Sequence, residues 1–95
     1  MPVTLQREMG LTPADFLRAL PMALEGLPYR VARDSVSIQH PEGGIEIGLV
    51  PAPDRRIASL ALPVTRVTFR FRGLTPGARA GFLKRLDLHL QRGGG

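Results

Sequence analysis

Residues 64–76 read VTRVTFRFRGLTP, and this stretch decides the fold. Apolar and polar side chains alternate from Val67 to Phe71, and a period of two is typical of a β-strand with one buried face. Gly73 breaks the strand, and Thr75 then offers a cap oxygen to a helix that has Pro76 at its first position. The stretch therefore predicts a strand that leads directly into a helix.

The same order of signals occurs near the N-terminus, in residues 3–13 (VTLQREMGLTP). A short alternating run ends at Gly10, and Thr12 followed by a proline predicts the start of a first helix, which we expect to end at Gly26. A second helix is predicted from Pro76 to about Gln91. Both helices carry their apolar residues on one side, at the spacing of an amphipathic helix. These residues are Phe16, Leu17, Ala19, Leu20, Ala23 and Leu24 in the first helix and Ala78, Phe82, Leu83, Leu86 and Leu90 in the second.

Residues 28–73, between the two helices, alternate with a period of two, which predicts antiparallel strands. The apolar positions change parity between Val31 and Val36, so we expect either a tight turn or a bulge at residues 33–35. Residues 40–44 (HPEGG) predict a hairpin loop in which the two glycines supply positive φ angles.

The remaining strands follow this hairpin loop. Residues 45–49 alternate as one strand, and the prolines within residues 51–54 are expected to break the connection that follows it. Residues 56–62 and 66–72 are then predicted as two strands joined through Pro63.

The predicted element order is β-α-β-β-β-β-α, which indicates an α+β fold: an antiparallel sheet with two helices packed on one face. We expect residues 1–92 to form a single domain and residues 93–95 to form a flexible tail. The element order resembles one half of a TATA-box-binding protein, in which a curved sheet covers DNA and two helices lie behind it. The resemblance is one of topology, because the sequence carries no motif of that family.

The composition excludes several classes of protein. The chain has 95 residues and no cysteine, so it is not a disulfide scaffold, a thiol enzyme or an iron–sulfur protein. It contains no apolar stretch approaching the roughly 18 residues that a membrane span needs, and residues 1–10 lack the apolar core of a signal peptide. We therefore expect a cytoplasmic protein with no membrane partner.

Charge is distributed unevenly along the chain. Residues 1–54 carry four arginines and seven acidic residues, a net charge of −3, whereas residues 55–95 carry eight arginines, one lysine and one acidic residue, a net charge of +8. Such an asymmetry favours an electrostatic partner, either a polyanion or an acidic surface on another copy. The alternative is that the basic surface is only solvated.

Candidate interaction residues follow from the strand pattern. The polar side of the last strand carries arginines at two-residue spacing, a separation that suits successive phosphates. The predicted interaction face consists of Arg55, Arg56, Arg66, Arg70 and Arg72. Secondary contacts are predicted at Glu46, a carboxylate on a neighbouring strand, and at Met22 and Leu88, two large apolar residues on polar helix faces.

The leading functional hypothesis is an interaction module that forms a homodimer, or binds another protein, through the open sheet face or the polar helix faces. One alternative is binding to a nucleic-acid backbone through the basic strand face. Another is binding of a small apolar ligand between the helices and the sheet. We expect no enzymatic activity and no cofactor, because the sequence shows no nucleophile with a base in reach. His40, in a hairpin loop, and His89, at the edge of a helix, also have no acid at i+3 or i+4 on the same helix to complete a metal site.

Overall fold

The structure, a computed structural model, describes residues 2–93. It confirms the α+β fold and the element order β-α-β-β-β-β-α. The elements are β1 (Val3–Met9), α1 (Pro13–Leu24), β2 (Tyr29–Ala32), β3 (Ser35–His40), β4 (Gly43–Ile57), β5 (Leu60–Arg72) and α2 (Pro76–Gly93). The strands form one antiparallel sheet in the order β1-β5-β4-β3-β2, so the chain's first strand pairs with its last.

One face of the sheet forms the core together with the two helices. On the central strands every second side chain is buried, and the register places these side chains opposite one another: Ile47 of β4 faces Phe69 of β5 on one side and Val36 of β3 on the other. Phe82 of α2 packs edge-on against Phe69 and Phe71, with ring centroids 6.5 and 6.2 Å apart. The helices therefore cover the face predicted from the alternation.

Both helices start as predicted. The Thr12 hydroxyl accepts a hydrogen bond from the backbone N–H of Asp15 at 3.1 Å, and the Thr75 hydroxyl accepts one from the N–H of Ala78 at 3.2 Å. Helix α1 ends at Leu24, one residue before Glu25, which adopts the left-handed conformation at φ 52°. The second helix includes Gly93, which the sequence analysis assigns to the tail; Gly94 and Gly95 lie outside the described residues.

The two short hairpins differ in detail from the sequence expectation. Residues 33–34 form a tight two-residue turn between β2 and β3, with Arg33 at φ 46°, so the turn is correct and the bulge is not. The turn between β3 and β4 also has only two residues, Pro41 and Glu42, because His40 already pairs with Gly43. The prediction that Gly43 and Gly44 lie in the loop was wrong: both belong to β4.

The strand boundaries after residue 50 were also predicted incorrectly. Strand β4 continues to Ile57. Of the prolines that were expected to end it, Pro51 pairs with Thr65 and Pro53 lies at a bulge between Ala52 and Arg55. Residues 56–62 are not one strand but the tip of the β4–β5 hairpin, which turns at residues 58–59 with Ala58 at φ 56°. An alanine followed by a serine is a weak turn signal, because alanine is not a turn residue and serine favours turns less strongly than glycine, asparagine or aspartate. Prolines are tolerated in strands that have a free edge.

The β3–β4 turn lies close against the junction between β5 and α2, and two glycines make this close approach of the backbones possible. A Cβ atom on Gly43 would overlap the carbonyl oxygen of Arg72, and one on Gly73 would lie 2.6 Å from the carbonyl oxygen of Glu42. The Glu42 side chain also accepts a hydrogen bond from the N–H of Thr75 at 3.1 Å. The turn thus supplies an acceptor to one of the unpaired N–H groups at the start of α2.

We expect Gly73→Ala to lower the free energy of unfolding by about 3 kcal/mol, because the alanine would clash with backbone and would have to adopt φ 84°. Gly81→Ala is the matched control: its Cβ would meet no other atom within 4 Å, and alanine favours the helix by about 1 kcal/mol. Urea unfolding of the two variants measures the difference. Equal stability of the two variants would contradict the close approach.

Thr12→Ala and Thr75→Ala should each lower the free energy of unfolding by about 1 kcal/mol, because each removes the acceptor for a helix N–H. Replacement by serine keeps that acceptor and should recover most of the loss. Thermal unfolding followed by circular dichroism tests both pairs, and an alanine variant as stable as the parent would show that the cap has no energetic role.

Candidate interaction surface

The sheet face opposite the helices is open and polar. We call it the open face. It carries the side chains between the buried ones, and those on the five-stranded part of the sheet are Thr4, Gln6, Glu8, Arg30, Ser35, Ser37, Gln39, Glu46, Arg66, Thr68, Arg70 and Arg72, with Val50 as the one large apolar residue among the described positions. A polar open face is expected for a sheet that is covered by helices on one side alone.

Three of the predicted arginines share the open face. Arg66 lies opposite Glu8 in the register, and their side chains form an ion pair at 3.6 Å. Arg70 lies opposite Glu46, but within the described part of the chain Arg70 and Arg72 have no carboxylate within 4 Å. The structure thus brings Glu46 and the arginines together on one face of a single copy.

A shallow depression of about 250 Å³ lies in the open face. Its floor is Gly48, where a Cβ atom would meet nothing within 4 Å, and its rim includes Ser35, Thr68 and Arg70. Ser35 and Thr68 are the direct cross-strand neighbours of Gly48. The missing side chain therefore leaves room for a small group from a partner.

The β4–β5 hairpin extends beyond the rest of the sheet. We call its residues 51–64 the arm. Strand β1 ends opposite Thr65 and strand β3 begins opposite Gly48, so the two strands of the arm pair only with each other. Every residue from Pro53 to Leu62 is exposed. The arm accounts for the elongated shape of the molecule, whose extents are 45 × 25 × 25 Å.

Large apolar side chains follow one side of the arm. Four cross-strand pairs lead from the sheet just below the arm to its tip: Val50 with Arg66, Ala52 with Val64, Arg55 with Leu62, and Ile57 with Leu60. Because side chains alternate along β5, and the bulge shifts β4 by one residue, these pairs continue the open face. We call them the apolar face of the arm. Val50, Ile57, Leu60 and Leu62 are 53%, 54%, 63% and 41% exposed.

Three prolines restrict how the arm can bind a partner. Pro51, Pro53 and Pro63 have no N–H, so the arm lacks three of the donors that an added strand would need. Pairing of another strand to the edges of the arm is therefore disfavoured. A partner is therefore expected to cover the arm by packing on its apolar face.

The structure divides the other predicted residues between different surfaces. Arg55 lies on the apolar face of the arm, whereas Arg56 pairs with Ala61 and points to the opposite side. Met22 and Leu88 are 71% and 52% exposed, but they lie on the helices, behind the sheet. Leu60 and Leu62 were not predicted as contacts, because residues 56–62 were expected to form one strand of the sheet.

Comparison of the chain with protein-family models, with curated proteins and with solved structures found no match. None of the helices in residues 2–93 is long and apolar enough to cross a membrane.

Proposed function

We propose that this chain is a small interaction module that forms a homodimer through the open face, with the apolar face of the arm as the main contact. The observation that carries the proposal is the exposure of Ile57, Leu60 and Leu62 on one side of an unsupported hairpin, with Val50 exposed on the same side at its base. Scattered exposed apolar residues are common on monomers, but a contiguous set on a protruding element is typical of an interaction site.

The arm has little to stabilise it in a monomer. A two-stranded hairpin without a third strand or a packed helix is marginally stable in water. Neither edge of the arm is paired, and none of its residues from Pro53 to Leu62 is buried. Covering the apolar face would supply the packing that the arm lacks.

The order of side chains along the arm suits a second copy. When two arms pack face to face and antiparallel, about an axis between the second and third pairs, the tip pair of each copy meets the base pair of the other. Ile57 then packs on Val50 of the other copy and Leu60 on the stem of Arg66, whereas Arg55 lies beside a small residue, Ala52, rather than beside its own counterpart. Beyond the tip pair, Ala58 and Ser59 of one copy reach the depression above Gly48 of the other.

The expected affinity is low. Fully burying an exposed Val, Leu or Ile gains about 1.5–3 kcal/mol, so four half-exposed side chains in each of two copies contribute about 8 kcal/mol. Association costs at least about 4 kcal/mol in lost translational and rotational freedom. The remaining ~4 kcal/mol corresponds to a dissociation constant of about 1 mM, which packing of the arginine stems would lower.

Amide hydrogen exchange at increasing protein concentration tests this contact. We expect the amides of residues 51–64 to exchange more slowly as the concentration approaches about 1 mM, because dimerisation covers the arm. The double variant Ile57→Ser/Leu60→Ser should abolish this concentration dependence. It should leave the stability of the dilute monomer nearly unchanged, since both side chains are exposed.

Met22→Ser is the control, since it also removes a large exposed apolar side chain but lies on α1. The control should behave as the parent. Arm amides that exchange at one rate over the whole concentration range would contradict the proposal.

A second candidate function is binding to a nucleic-acid backbone. It is favoured by Arg70 and Arg72, whose guanidinium groups lie on the open face without a carboxylate within 4 Å in the described residues. Arg30 lies in the same cross-strand row as Arg70, with Ser37 and Glu46 between them. The third hypothesis, an apolar ligand between helices and sheet, gains no such observation from the described residues, whose side chains between the helices and the sheet form one buried cluster.

If the arginines bind phosphates, the affinity for duplex DNA should fall with salt by about 0.9 log units per log unit of salt for each phosphate contacted. Arg70→Ser/Arg72→Ser should reduce that slope by about 2, because it removes two contacts. Arg18→Ser/Lys84→Ser removes the same charge from the two helices, behind the sheet, and should leave the slope unchanged. Fluorescence anisotropy of a labelled duplex measures these slopes, and no binding by the parent at low salt would eliminate this candidate.

A further inference from the structure

Strand β1 has a free edge, and helix α2 lies beside it. A groove of about 410 Å³ separates them, lined by Arg7 of β1 and by Ala80, Leu83, Lys84, Asp87 and Leu88 of α2. The guanidinium of Arg7 donates two hydrogen bonds to the carboxylate of Asp87, at 2.8 and 3.1 Å. These bonds join α2 to β1 at this point.

The outer side of α2 combines charges of both signs with an exposed leucine. Lys84 is exposed and has no carboxylate within 4 Å among the described residues, whereas Asp87 remains partly exposed beside Arg7. Leu88 is half exposed, and Leu83 is only partly covered by the core. In an antiparallel pair of such helices, Lys84 of each copy would face Asp87 of the other, and Leu83 would face Leu88.

We infer that the edge of β1 together with the outer side of α2 is a second self-association surface, and that its partner is another copy of this chain. The two copies pair their β1 strands antiparallel and place their α2 helices side by side. The surface shares no residue with the arm, so this inference does not depend on the proposed arm contact.

One two-fold axis can relate both the β1 strands and the α2 helices of the two copies. The helix rises about 1.5 Å per residue, so the midpoint between Lys84 and Asp87 lies roughly 2.3 Å before Asp87. The strand rises about 3.4 Å per residue, so Gln6 lies roughly that distance before Arg7, the residue that contacts Asp87. The contact between Arg7 and Asp87 thus places residues 84–87 beside the middle of β1, so an axis near Gln6 also passes near these helix residues.

The strand pairing around Gln6 contains no like-charge contact. Gln6 faces Gln6 of the other copy, Thr4 faces Glu8, and Leu5 faces Arg7. Directly opposed like charges destabilise a sheet, and their absence permits this register. The free edge also keeps its hydrogen-bonding groups, since residues 3–9 contain no proline. Charge complementarity on the helices and a compatible register on the strands thus point to the same partner.

The experiment uses the arm variant Ile57→Ser/Leu60→Ser as its background, so that arm contacts do not contribute. Sedimentation equilibrium up to about 1 mM should still detect a dimer of this variant. Lys84→Glu and Asp87→Lys, each added to this background, should weaken the dimer at least about tenfold, because each turns two attractive contacts into repulsive ones. An equimolar mixture of the two charge variants should dimerise again, since each of the two contacts then joins a carboxylate of one chain to an ammonium group of the other.

Two further variants keep the test decisive if Asp87→Lys, which also loses its bond to Arg7, fails to fold. Leu88→Ser should abolish the dimer in the same background, whereas Met22→Ser, on the other helix, should not. A monomeric arm variant at the highest concentration, a dimer that all these charge and leucine variants leave intact, or a mixture of folded charge variants that stays monomeric would each overturn the inference. If only the proposed arm contact is wrong, the arm amides show no concentration-dependent hydrogen exchange. The sedimentation result for the second surface is then unaffected, because it is measured in the arm variant.

Discussion

The alternation of side chains along the β4–β5 ladder is the constraint on which the rest of the structure depends. Its buried side chains, such as Ile47 and Phe69, form the centre of the core against the helices. Those between them, such as Glu46 and Arg70, form the centre of the open face. The same ladder continues past the neighbouring strands as the arm. A shift of one residue in its register would move phenylalanines out of the core and bring arginines into it.

The sequence predicts those elements whose signals are local. The helix starts at Thr12 and Thr75 were identified correctly because a cap residue followed by proline acts within one turn. The order of elements followed from the change between periods of two and of 3.6. The two-residue turn at Ala58 and Ser59 was missed, because its left-handed alanine is imposed by the pairing of long strands and not by a turn residue.

The same distinction between local signals and long-range pairing applies to the candidate surface. Alternation alone correctly placed Arg66, Arg70 and Arg72 on one face of β5. Alternation could not show that Glu46 lies directly across from Arg70, since the pairing of β4 with β5 depends on the length of the hairpin between them. Nor could it reveal the arm: whether Leu60 is buried or exposed depends on how far β1 and β3 extend beside the hairpin, which is a property of the whole sheet.

The pairing of β1 with β5 affects how the chain can fold as it is synthesised. Val3 pairs with Phe71, so β1 cannot pair with β5 until a segment about 70 residues later in the chain has been synthesised. At about 5–20 residues per second, the ribosome takes several seconds to make that segment. Until then, β1 has no strand to pair with and α1 can pack only on the incomplete sheet of β2, β3 and β4, and contacts this distant in sequence form slowly. The N-terminal quarter of the chain is thus the part that most needs protection from aggregation during translation.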